Sequence, residues 1–223
     1  MKITKRIKTF ANLDREKVYT VADAIEALRA YASKKFDETL EIAVKLGVDV
    51  TKQDQNIRLM LPLPNGTGKK IRVAVITNDK TEDAQKAGAD VIGGEELIDK
   101  IAGGFLDFDR VIATPDMMPK MSKVARVLGP KGLMPNPKLG TVTNNVADGV
   151  KLAKSGQVEL RAEKKGIVHA GIGKMSFTTD KLVENANAVI DALKKAKPAS
   201  AKGQYMLGAS ISTTQGPGLR VSI

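Results

Sequence analysis

The residues able to do chemistry are few, and their spacing does not suit it. A phosphate-cradling P-loop needs GxxxxGK followed by Ser or Thr, so that successive amides and one lysine surround the phosphates. Residues 65–69 (NGTGK) lack the first glycine at that spacing, and in residues 132–138 Pro137 stands where the second glycine belongs. Gly171 and Gly173 begin a dinucleotide fingerprint, but Ser176 fills its last position and the surrounding pattern is not strand, turn, helix. His169 is the sole imidazole, which excludes any site needing two. A lone histidine at the end of an apolar strand is more often a packing or hydrogen-bonding residue than a general base. The chain has no cysteine, hence no disulfide, thiolate nucleophile or thiolate metal site, which suits a reducing compartment. Asp79, Glu82, Asp83, Glu95, Glu96, Asp107 and Asp109 sit at helix starts and in loops, where acids favour the helix dipole or solvate a face rather than hold magnesium. The expectation is therefore no catalytic residue, no metal and no cofactor.

What remains is charge. Thirty-six Lys and Arg against 25 Asp and Glu leave +11, a field that attracts polyanions. The most concentrated stretch is residues 120–141 (KMSKVARVLGPKGLMPNPKLGT), with five cations, no acids, three prolines and three glycines. It reads as a stiff basic loop, in which prolines fix φ and glycines permit close backbone approach, so that Lys131 and Lys138 face phosphate or another backbone. A structural connection that is merely basic fits the same residues equally well. Further cations cluster in residues 2–8, at Lys34 and Lys35, and in residues 161–174 and 194–202. Aromatic residues make up only 4% of the chain, and no pair of them decorates a strand as in proteins that stack unpaired bases. A polynucleotide partner would thus be read by shape, through phosphates and 2′-hydroxyls.

The elements that carry these residues fall into two styles. Thr20 followed by Ala24, Ile25, Leu28 and Ala32 predicts a capped surface helix over residues 20–34. Leu40, Ile42, Val44 and Leu46 alternate with Thr39, Glu41, Ala43 and Lys45, the pattern of a strand with one buried and one wet face. Ile57, Leu59 and Leu61 repeat it. Residues 62–70 (PLPNGTGKK) then break the pattern with turn formers. Beyond the break, residues 71–76 (IRVAVI) and 110–113 (RVIA) are nearly continuous apolar runs with helical segments between them, as in strands covered on both faces. Charge changes at the same place, because residues 71–119 hold five cations against ten acids and leave +16 on the rest. After residue 156 the one-face-wet style returns, with Val158, Leu160 and Ala162, a turn at residues 164–166, a helix near residues 179–196, and a strand through Tyr205, Leu207, Ala209, Ile211 and Thr213.

The fold expected from this is α+β with inserted α/β. A split two-layer α+β domain is built from both chain ends, residues 1–68 plus 157–223, and is interrupted by a Rossmann-like three-layer α/β domain over residues 69–156. The two crossings would act as a hinge. No apolar run has signal-peptide or membrane-spanning length, so the expected location is cytoplasmic with no membrane partner. The residues alone leave three functions open: a protein that holds folded RNA, a small α/β enzyme whose basic loop takes a phosphorylated substrate, and a nucleic-acid binder without shape preference.

Five segments narrow this choice: residues 36–49 (FDETLEIAVKLGVD), 88–98 (GADVIGGEELI), 107–118 (DFDRVIATPDMM), 128–142 (LGPKGLMPNPKLGTV) and 216–221 (GPGLRV). Together they make the chain resemble, nearly end to end, the bacterial large-subunit ribosomal protein L-one family. The resemblance implies a split domain with an α/β insertion and no enzymatic activity. It implies binding to the stalk region of large-subunit ribosomal RNA near the exit site, a part in release of deacylated tRNA, and repression of its own operon through an mRNA mimic of the ribosomal site. The partners it implies are ribosomal RNA, own-operon mRNA and exit-site tRNA, with the protein a monomer off the ribosome. Carried over by position, the RNA-binding residues are Lys35, Phe36, Thr39, Glu41, His169, Thr214, Gln215, Gly216 and Pro217; the basic clusters add Lys5, Arg6 and Lys165 to the RNA-binding set, with Lys131 and Lys138 in the second basic loop. The family commonly has methionine between the threonine and glycine of the final turn, where this chain has Gln215.

Overall fold

A computed structural model describes residues 10, 13–14, 16–33 and 35–223. It is a mixed α+β structure that divides into two compact units, one from residues 1–68 and 158–223, the other from residues 69–157. In chain order the strands are β1 (Val18–Tyr19), β2 (Thr39–Leu46), β3 (Arg58–Pro62), β4 (Val73–Ile76), β5 (Val91–Gly93), β6 (Arg110–Ala113), β7 (Gln157–Arg161), β8 (Ile167–Lys174), β9 (Met206–Thr213) and β10 (Leu219–Val221). The α-helices are α1 (Val21–Arg29), α2 (Thr81–Lys86), α3 (Glu95–Ala102), α4 (Met118–Met121), α5 (Ala125–Leu128), α6 (Val146–Lys154) and α7 (Thr179–Lys195).

The unit built from both chain ends carries a five-stranded sheet in the order β1-β10-β9-β2-β8, antiparallel except for the β1–β10 pair. Along β2, Leu40, Ile42, Val44 and Leu46 are buried, as the alternation requires, and meet Ala24, Ile25 and Leu28 of α1 and Leu182, Ala186, Val189 and Leu193 of α7 in one core. Both helices cover the same face, so the other face of the sheet stays wet. The helix expected over residues 20–34 is shorter than that. The Thr20 hydroxyl caps it by accepting from the Asp23 amide, but past Arg29 the chain tightens into i→i+3 bonds, and the Ser33 amide is taken by a Glu38 carboxylate oxygen at 2.9 Å. β3 departs from the expected pattern too: all of Arg58–Leu61 are half-buried, because β3 pairs only with β7 in a separate two-stranded ribbon, tied by an Arg58–Glu159 ion pair at 2.7 Å.

In the other unit β4 is central in a parallel sheet of order β5-β4-β6, and all four of its residues are buried. Ala74 and Ile76 pack with α3 and with Met117, Met121, Val124 and Leu128, while Val73 and Val75 pack with Ala84, Val146, Val150 and Ala153. Helices on both faces explain the continuous apolar runs. Asp90 and Asp109 pin the start of β4, accepting from the amides of Val73 (2.8 Å) and Arg72 (3.2 Å). For Asp90 the Val73 amide, and for Asp109 the ammonium of Lys69 at 2.7 Å, is the main cause of a pKa below the usual carboxylate range.

The basic stretch of residues 120–141 is not a loop throughout. Met117, Met121, Val124 and Leu128 recur at steps of four, three and four, and that buried stripe folds residues 118–128 into short α and 3-10 turns. The loop proper starts at Gly129. Within it the Thr141 hydroxyl accepts from the Asn136 amide at 2.8 Å, the Asn136 side chain accepts from the Lys138 amide at 2.9 Å, and Pro135 and Leu139 are buried.

Candidate nucleic-acid interface

The wet face of the five-stranded sheet is set by the odd positions of β2. Glu41 lies opposite Gly171 and Ser212, Ala43 opposite His169 and Ser210, and Lys45 opposite Ile167 and Gly208. On the β9 side these neighbours are small, Ser212, Ser210 and Gly208. Moving along β2, each pair of residues advances ~7 Å, so the face from Thr39 to Lys45 spans ~20 Å.

At one end of that face two segments distant in sequence lock together. The Thr39 amide donates to the Thr214 hydroxyl at 3.0 Å, and the Thr214 amide donates to the Thr39 carbonyl at 3.1 Å. Lys174, paired with Thr39 in the β2–β8 register, donates its ammonium to the Thr39 hydroxyl at 2.8 Å and to the Asp37 carbonyl at 3.3 Å. Beneath them Glu38 is 1% exposed. One of its oxygens holds the Ser33 amide and the other receives the Gln215 amide at 3.5 Å, so a single buried carboxylate joins the loop before β2 to the turn after β9. That turn closes with a bond from the Gly216 amide to the Thr213 carbonyl at 3.0 Å. A Cβ on Gly216 would stand 2.2 Å from the Thr213 hydroxyl, so only glycine fits there.

Lys35, Phe36, Thr214 and Gln215 are exposed around this junction, and Phe36 presents 42% of its surface to solvent. Thr39 and Gly216 are half-exposed, whereas Pro217 is buried and shapes the turn rather than facing outward. Glu41 stands one step further along the wet face and His169 one step beyond that, 4.0 Å from the Glu163 carboxylate. Lys165 is at the far end of β8, in the turn that Gly166 closes with φ +70°; a Cβ on Gly166 would stand 2.8 Å from the Leu46 carbonyl. Lys131 and Lys138 are exposed on the other unit. Lys5 and Arg6 lie outside the described residues.

Sequence reasoning missed Glu38 and Lys174. For Glu38 a signal existed: position 38 shares the parity of Leu40, Ile42, Val44 and Leu46, so an acid there enters the buried phase of β2. Lys174 gave no such signal. Its parity matches the buried Val168, Ala170 and Ile172, but the register slips between Leu40 and Glu41, with Ile172 bulged out of the pairing, and this turns Lys174 toward Thr39.

The arrangement offers cations, hydroxyls and an exposed phenylalanine ring along an extended face, which suits contact with phosphates and sugars. A model of the Ribosomal protein L1p/L10e family matches residues 28–217, a span that includes every candidate RNA-contacting residue except Lys5 and Arg6. The chain therefore belongs to the Ribosomal protein L1p/L10e family and is a ribosomal protein of the large subunit whose partner is ribosomal RNA.

Proposed function

We propose that the unit built from both chain ends is the RNA-binding domain, and that it grips the stalk region of large-subunit ribosomal RNA near the exit site. The observation that carries this reading is the Thr39–Thr214 lock, which gathers Lys35, Phe36, Thr39, Thr214, Gln215 and Gly216 at one exposed end of the sheet. Phe36 packs on a ribose, the hydroxyls of Thr39 and Thr214 meet 2′-hydroxyls or phosphates, and Glu41 orders the cations beside it. His169 and Lys165 extend the contact along the wet face. Lys5 and Arg6 add phosphate contacts, as do Lys131 and Lys138 from the inserted Rossmann-like domain. In this reading the protein takes part in release of deacylated exit-site tRNA and represses its own operon through an mRNA that imitates the ribosomal site. It works in the cytoplasm and is monomeric off the ribosome.

The test is filter binding of a stalk-region transcript to wild type, Phe36→Ala and Thr214→Ala. Each substitution is expected to weaken binding by roughly 1–3 kcal/mol with the fold intact. Wild-type affinity in both variants would show the site to be elsewhere.

A further inference from the structure

At the opposite end of the wet face from Thr214, the sheet carries a cavity of ≈ 590 Å³. Its floor is Ala43 of β2 with Gly208 and Ser210 of β9, three small residues in adjacent register. Val18, Leu207 and Ile223 stand around it, 59%, 48% and 42% exposed, and they account for half of the six large apolar side chains exposed among the described residues. Leu207 is there because the β2–β9 register slips between Lys45 and Leu46: Lys45 pairs with Gly208 and Leu46 with Met206, which leaves Leu207 unpaired and outward. The charged members of the lining are Lys45, His169 and Arg220, all exposed and none of them an acid. Arg220 is opposite Ser210 and next to Val18, so one transverse row reads Val18, Arg220, Ser210, Ala43, His169.

We propose that this cavity is a second contact site for the same RNA, holding a stretch of its sugar–phosphate backbone. The inference rests on the reading that the domain binds structured RNA. Charge complementarity selects the occupant: the two permanent cations, Lys45 and Arg220, with no acidic side chain among the lining residues, attract a polyanion. Two strand spacings and one two-residue step separate Lys45 from Arg220, roughly 12 Å between Cα atoms, so they neutralise different phosphates. The floor of alanine, glycine and serine lets a ribose approach the sheet closely, with the Ser210 hydroxyl available to a 2′-hydroxyl. Val18, Leu207 and Ile223 pack on sugar faces. His169 belongs to both ends of the face, which makes the two contacts one continuous track.

The experiment measures binding of the stalk-region transcript across a salt series for wild type, Arg220→Gln, Lys45→Gln, the double variant and Thr214→Ala. Each lost phosphate contact lowers the slope of log affinity against log salt by ~0.7–0.9. Arg220→Gln and Lys45→Gln are each expected to lose about five- to tenfold in affinity with that change in slope, and the double variant to lose both increments. Unchanged affinity and slope in the double variant, with Thr214→Ala still weakened, would overturn the second site and leave the first standing. Unchanged binding in every variant, Thr214→Ala included, would instead remove the reading on which it rests. Normal RNA binding by the double variant with defective incorporation into subunits would assign the cavity to a protein neighbour and overturn the proposal.

Discussion

Glu38→Ala is expected to lower affinity for the stalk-region transcript by about ten- to a hundredfold and folding stability by ~2–4 kcal/mol, although the side chain is 1% exposed and reaches no ligand directly. Its carboxylate accepts from the amides of Ser33 and Gln215, which come from opposite ends of the chain. Removing it leaves both amides without that acceptor and opens a void under the Thr39–Thr214 junction. Glu38→Gln keeps the size and one acceptor oxygen, so it should fall between wild type and Glu38→Ala in both measurements. Filter binding with urea unfolding on the same preparations checks this. Wild-type affinity in Glu38→Ala would mean that the two segments hold their geometry without the carboxylate.

Asn185→Leu should destabilise the unit built from both chain ends by ~2–4 kcal/mol and lower its Tm by roughly 5–15 °C. Asn185 lies on α7 and is fully buried. Its amide donates to the carbonyls of Ile172 at 2.7 Å and Gly66 at 3.0 Å, and its oxygen accepts from the Asn65 amide at 3.1 Å. Three partners from β8 and the turn after β3 are thus met by one side chain. Leucine has similar volume and fills none of these roles, leaving the buried Ile172 carbonyl without its partner. The turn at residues 62–68 would still be held to α7 by the bonds of the Asn65 side chain to the Lys181 carbonyl and the Glu184 carboxylate. An unchanged Tm would show that water replaces all three bonds.

The strands that build the candidate site were legible because their physics is local. Alternation in residues 39–46 placed Leu40, Ile42, Val44 and Leu46 inward and Thr39, Glu41 and Lys45 outward, and the structure agrees residue by residue. Continuous apolar runs at residues 71–76 and 110–113 marked strands covered on both faces for the same reason, although the first strand begins only at Val73. Three features escaped. The two register slips, at Leu40/Glu41 and Lys45/Leu46, depend on which strands pair, and no single-strand pattern encodes that. They alone decide that Lys174 reaches Thr39 and that Leu207 faces outward rather than joining Ala209 and Ile211 in the core. The helical turns of residues 118–128 escaped because prolines, glycines and cations dominate the composition of residues 120–141, while the buried stripe that folds them begins outside that stretch, at Met117. The resemblance to a known family supplied the residues of the junction. What holds them there is Glu38, Lys174 and the absence of a side chain at Gly216.

Gln215 stands where the family resemblance implies methionine. Its amide nitrogen is anchored on Glu38 while its side chain is exposed, so the side chain at this position does not set the backbone bond that holds the turn.

The most direct test of RNA recognition by shape compares the purified full chain on the stalk-region transcript and on a random RNA duplex between about 50 and 200 mM salt. With roughly six phosphate contacts, affinity for the stalk transcript should fall about a thousandfold over that range, and at every salt concentration it should stay well above that for the duplex. Equal affinity for the two RNAs throughout would contradict the account and leave a basic surface without shape preference.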